Sequence, residues 1–151
     1  MLSVRGSLFL HKKTMATIKT TYISNLRIEA THIQSGNTII TDAPTDNQGR
    51  GEAFSPTDLL AASLGSCMLT IMGIAANVHG FSIDGTRSEI TKIMASNPRR
   101  VGTIEIHLWF PANNYTAKEK KLIEHAAFTC PVYLSLHPDL EKNIHLHFDQ
   151  Q

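Results

Sequence analysis

The chain has 151 residues, with fourteen basic side chains against thirteen acidic ones, 42% apolar residues and 18% charged. That size and balance describe one soluble globular domain with its own core and argue against a nucleic-acid footprint or an affinity for anionic membrane surfaces. Two cysteines are too few for a disulfide scaffold, and their separation (130 − 67 = 63 residues) matches no zinc spacing, so two free thiols in a reducing, cytoplasmic setting are expected.

Residues 1–14 contain an apolar stretch of only Leu8–Leu10. A signal-peptide core needs about 7–15 such residues, so this segment reads as a poorly ordered extension and 15–151 as the single domain. Ala16–Ile23 is rich in Thr, Ile and Tyr, Leu26–Ile33 alternates, and Thr38–Thr41 is a short third run; Ser24-Asn25 and Gly36-Asn37 separate them. This predicts a three-strand antiparallel meander. A loop over 43–54 leads to the clearest helix start, with Ser55 as N-cap, Pro56 in the first position and Asp58 three residues after the cap.

The helix is expected to run from Pro56 to Val78, with Gly80 as its stop. It carries no charge from Leu59 to Val78, and about 20 apolar residues suffice to cross a bilayer. Ser63, Ser66, Thr70 and Asn77 dilute it, its start is capped, and no Trp or Tyr flanks it, so no membrane span is expected. A helix apolar on all faces is otherwise central and buried. One small domain can hardly surround it, which predicts a homodimer. Ala61, Gly65, Leu69 and Gly73 share one face, and three of them are small enough to admit a second helix.

Phe81–Ala95 reads as a strand and Val101–Phe110 as another, with Ile104, Ile106, Leu108 and Phe110 on one face. Thr116 and Glu119 form a capping box for a second helix. A third, short helix follows Cys130-Pro131, and Asn143–Phe148 is the last strand. The order βββ-α-ββ-αα-β is α+β.

Cys67 lies within the apolar helix, where a free cysteine packs as a small hydrophobe as readily as it reacts. Cys130 is the expected N-cap of the short helix, where the helix dipole lowers a thiol's pKa; on that local ground it is the more acidic of the two, although it can equally stand in for a capping Ser. The pair could cycle between thiol, sulfenic acid and disulfide with no metal or organic cofactor. His145 and His147 share a strand face with His107 and His125 as possible neighbours, but no acidic partner is placed beside the His145–His147 pair, and no metal site is assigned.

The segments SPTDLLAASLGSC (55–67), CPVYLSL (130–136) and LRIEATHIQSG followed by DAP resemble the OsmC/Ohr family of osmotically inducible and organic hydroperoxide resistance proteins. The resemblance implies an intertwined homodimer, two sheets wrapped around long central helices. It implies a thiol-dependent peroxidase in which Cys67 attacks an organic hydroperoxide, Cys130 resolves the sulfenic acid as a disulfide, and a dithiol, lipoyl-linked in the Ohr branch, reduces that disulfide. It implies an activating arginine held by a carboxylate: Arg27 is the match, with Arg50 in reserve. Arg27 also reads as an ordinary exposed strand residue. The family's Glu after the motif proline is Thr57 here, followed by Asp58, which also reads as a simple cap. Apolar Leu64, Met68 and Ile71 beside Cys67 would favour organic peroxides. The Thr57 departure keeps a second reading open, a redox-sensing or apolar-ligand-binding dimer without efficient turnover.

Overall fold

A computed structural model describes residues 15–148, so the extension expected at 1–14 lies outside the described residues. The chain falls into two compact units that divide after Ala53.

The first unit is a three-stranded antiparallel sheet, β1 (Ile18–Ser24), β2 (Arg27–His32) and β3 (Thr38–Thr41), in that spatial order. The β1–β2 connection is tight because Asn25 and Leu26 both adopt positive φ, 51° and 64°, which matches the twist of a two-residue hairpin loop. All seven β1 residues are exposed, including Ile18, Tyr22 and Ile23.

The second unit contains α1 (Pro56–His79), β4 (Arg87–Ser96), β5 (Arg99–Trp109), α2 (Ala117–Thr129), α3 (Pro131–Ser135) and β6 (Glu141–His147). Its sheet runs β4-β5-β6, with β4 antiparallel and β6 parallel to β5. The parallel return is possible because α2 and α3 supply the long crossover that such a pair requires. The observed order is the expected βββ-α-ββ-αα-β, with one 3-10 turn at Thr45–Asn47 added in the first unit.

Local chemistry sets the helix ends. Ser55 Oγ accepts the Asp58 amide at 3.1 Å and Asp58 Oδ2 accepts the Ser55 amide at 2.7 Å, a reciprocal capping box at α1. Thr116 and Glu119 repeat it at α2. Gly80 ends α1 at φ 76°, in the left-handed region that glycine enters without Cβ strain.

The β4 strand begins later than expected, at Arg87. Phe81 sits edge-on to Tyr115 at 6.3 Å, the Tyr115 hydroxyl donates to Ser82 O at 2.9 Å, and the Thr86 amide closes a turn onto Ile83 O at 3.0 Å. These contacts hold 81–86 off the sheet edge.

The core forms where α1 meets the inner face of the sheet. Leu64, Met68 and Met72 are fully buried with Ile104, Ile106 and Leu108, alternate residues of β5 that were expected to share one face. Leu64 and Met68 are therefore core residues. Although α1 is long and apolar enough to cross a membrane, it is a core helix of this unit, and Leu60, Ile74 and Val78 remain exposed along it.

Gly65 has a different neighbour from the one expected. A Cβ there would collide with Ile90 Cδ1 of β4 and lie 3.9 Å from Ile106 Cδ1, so the small residue admits the sheet rather than a second helix. Gly73, by contrast, meets nothing within 4 Å. Gly65→Leu should lower the urea midpoint by the equivalent of about 1–3 kcal/mol through overpacking, whereas Ser66→Ala on the exposed side should stay within about 0.5 kcal/mol. Equal effects would show that the close approach of Ile90 is not the constraint.

Candidate active site

Cys67 and Cys130 are both free, the first half-buried and the second wholly buried. Cys130 caps α3 as expected: its Sγ accepts the Tyr133 amide at 3.3 Å, and Pro131 occupies the first helical position. The two thiols are close enough for Cys67 to act on the titration of Cys130. The long apolar helix, its contacts with α2 and α3, and the N-cap geometry bring them together from opposite ends of the second unit.

The acidity expected of Cys130 is reversed. Burial pushes its thiol up from the ordinary value of 9.0, and the adjacent Cys67 adds to that, while the Tyr133 and Val132 amides pull the other way and lose. Desolvation of a thiolate outweighs the two amides at the start of this five-residue helix.

The α1 N-terminus carries a cation that sequence reasoning missed. Lys92 Nζ, on the inward face of β4, lies 2.6 Å from Asp58 Oδ1 and donates to Thr57 Oγ1 at 2.7 Å and Ser55 Oγ at 2.9 Å. Burial opposes ionisation of Asp58, but hydrogen bonds from Lys92 and Ser55 outweigh it and hold the carboxyl below its ordinary 3.8. Thr57 and Asp58, expected to support an arginine, thus engage a lysine instead. Lys92 alternates with the half-buried Ile90 and Met94 on β4, and no local pattern sets it opposite a helix start 35 residues earlier.

In the first unit Arg27 does meet carboxylates. Its Nη2 donates to Glu52 Oε2 and lies 3.6 Å from Asp42 Oδ2, whose side chain is fully buried. The Glu52 amide donates to Asp42 Oδ2 at 3.1 Å. That amide is the main reason the Asp42 carboxyl titrates below its ordinary value; burial opposes it and Arg27 assists. Arg27 Nε and Asp42 Oδ1 are buried without a hydrogen-bond partner. Arg50, the reserve candidate, is exposed, and its backbone amide faces Asp42. Asp42 and Glu52 were not singled out in the sequence, since only folding of the 43–51 loop brings them to β2.

The fold and the site together define a small α+β protein with two free cysteines, one of which caps a short helix. The sequence profile of the family described as OsmC-like protein matches residues 49–144. A crystal structure from Psychrobacter arcticus 273-4, whose name refers to osmotic stress induction and a detoxification response, is 51% identical, with a TM-score of 0.86 over 91% of this chain and 100% of that one. An OsmC-like protein from Mycoplasma pneumoniae (19% identity, TM-score 0.74, 91% and 99% coverage) shares the fold. So does an organic hydroperoxide resistance protein from Elizabethkingia anophelis (18%, 0.67, 91% and 99%). No curated protein matches the chain. The chain belongs to the OsmC-like family.

Loss of the Asp58 charge tests the α1 start. The folded carboxyl titrates below its unfolded value of about 3.9, so its contribution is present above that pH and disappears as the pH falls through the folded value. Asp58→Asn should cost about 1 kcal/mol at pH 7, as cap substitutions do, and the gap to the wild type should close as urea unfolding is repeated below about pH 4. A gap of constant size down to pH 2 would place the effect elsewhere.

Proposed function

We propose that the chain is a thiol-dependent peroxidase that reduces organic hydroperoxides to alcohols. The observation that carries this reading is the adjacency of two free thiols of unequal character, Cys67 half-buried and Cys130 buried at a helix N-cap. The Cys67 thiolate attacks the outer peroxide oxygen. An S–O bond forms, the O–O bond breaks, and the departing alkoxide takes a proton and leaves as alcohol. Cys130 sulfur then attacks the Cys67 sulfenic acid; the S–S bond forms, the S–O bond breaks, and hydroxide leaves as water with the Cys130 proton. A dithiol restores both thiols by exchange and is itself oxidised to a disulfide.

The upward pKa of Cys130 suits a resolving role, since it keeps that sulfur protonated while Cys67 reacts. The activating cation is assigned to Arg27, which Glu52 and Asp42 hold in place. Thr57 and Asp58 support the site through the α1 start. The functional particle is proposed to be a homodimer. Exposed Leu60, Ile74 and Val78 on α1, and Ile18, Tyr22, Ile39 and Ile40 in the first unit, are apolar surface that a second copy would cover. A reducing cytoplasm fits two thiols of this kind.

The second reading, a sensing or apolar-ligand-binding dimer, is favoured by one observation: Lys92 occupies Thr57 and Asp58, where peroxidase members have a carboxylate for arginine. Turnover separates the two. With a dithiol reductant, wild-type protein should consume an organic hydroperoxide catalytically. Cys67→Ser should abolish this, and Cys130→Ser should give a single oxidation per chain with a sulfenic acid detectable by dimedone labelling. Arg27→Ala should lower kcat/KM by about tenfold or more, as loss of an electrostatic stabiliser does. Disulfide formation without recycling by any dithiol would replace the peroxidase reading with the sensor.

A further inference from the structure

The outer face of the second sheet carries a feature unconnected to the thiols. Successive residues on a strand point to opposite faces. With Ile104, Ile106 and Leu108 turned into the core, Glu105, His107 and Trp109 share the outer face of β5. The parallel β6 is paired in register, Glu105 to Asn143, His107 to His145 and Trp109 to His147, so His145 and His147 stand directly beside them. Across the sheet, β4 places Glu89 opposite His107.

The side chains converge. His107 Nε2 lies 3.0 Å from Glu105 Oε1, and His145 Nε2 lies 3.8 Å from the same oxygen. The His107 and His145 rings stack with centroids 4.4 Å apart and planes 15° from parallel. One donor atom from each of Glu105, His107 and His145 falls within 4.8 Å of the other two. The acidic partner that the His145–His147 pair was expected to lack is Glu105, which reaches His145 from the neighbouring strand. His125, the other histidine considered, is on α2 and is not part of the group.

We propose that Glu105, His107 and His145 bind one divalent first-row transition ion of the zinc, copper or nickel class. Two imidazoles and a carboxylate are a borderline donor set that suits these ions, whereas calcium and magnesium prefer oxygen alone. Bonds of about 2.0–2.2 Å place tetrahedral ligand atoms roughly 3.3 Å apart. The distances present approach that, and side-chain rotation can close the remainder because the hydrogen-bonded strands fix the backbones. His107 Nδ1 lies 2.9 Å from His147 Nε2. With its proton on Nδ1 donated to His147, His107 turns the Nε2 lone pair toward the ion, the outer-partner arrangement usual for metal-bound histidine. The cation takes the place of the hydrogen bond between Nε2 and Glu105, any proton held there passes to solvent water, and the ion sheds bound water in exchange; no electrons move. The side chains of Glu105, His107 and His145 are 38%, 34% and 46% exposed, so water completes the coordination.

Trp109, the chain's single tryptophan, reports on the site, because it stacks on His107 at 5.6 Å and on His147 at 5.2 Å. The test uses tag-free full-length protein, stripped of metal, in which Cys67→Ser and Cys130→Ser remove competing thiolates. Calorimetric titration with zinc should give one ion per chain, and copper or nickel should quench Trp109 fluorescence with the same stoichiometry. His145→Gln, an exposed change that leaves the fold intact by circular dichroism, should weaken binding at least about tenfold; His107→Gln should do so more strongly, and His125→Gln should have no effect. Sub-stoichiometric binding, unchanged affinity in His145→Gln, or loss of all binding once the cysteines are removed would overturn the proposal.

Discussion

The packing of one uncharged helix onto one sheet face is the constraint on which the second unit depends. Leu64, Met68 and Met72 interlock with Ile104, Ile106 and Leu108, all without solvent exposure. Core side chains of this size contribute about 1.5–3 kcal/mol each on burial. Gly65 sets how closely the helix approaches, since any side chain there would meet Ile90. With α1 held in that position, Cys67 is presented on its flank toward α2 and α3, and Cys130 meets it from the start of α3. The thiol pair is thus a consequence of core packing, not of any local motif.

The same packing explains the unequal thiols. A helix N-terminus stabilises a thiolate, and Cys130 does accept the Tyr133 amide. Full burial costs more than that amide and the Val132 amide return together, because a thiolate in an apolar surrounding loses its hydration. Cys67 remains half-buried on the helix flank. The upward shift of the buried Cys130 thiol is the link between this packing and the resolving role proposed for it.

Cations are placed with similar economy. Lys92 is drawn to the α1 start, where the positive end of the dipole would repel it, because Asp58, Thr57 and Ser55 together offer three oxygens. In the first unit Arg27 is claimed by Glu52 and Asp42. The outer sheet face gathers its imidazoles and carboxylate by strand register alone.

Much of the fold was legible in the residues. Period-two alternation marked the inward face of β5, two capping boxes marked helix starts, Gly80 marked an end, and Cys130-Pro131 marked the short helix. These are short-range signals, each written within a few neighbouring positions, and local backbone physics reads them directly. What only the tertiary structure decided involves residues far apart in the chain: Lys92 against Asp58, Glu52 and Asp42 against Arg27, Glu105 beside His145, Ile90 against Gly65, and the burial that reverses the acidity of Cys130. Desolvation and long-range pairing depend on which elements meet and in what register, and no local pattern encodes that.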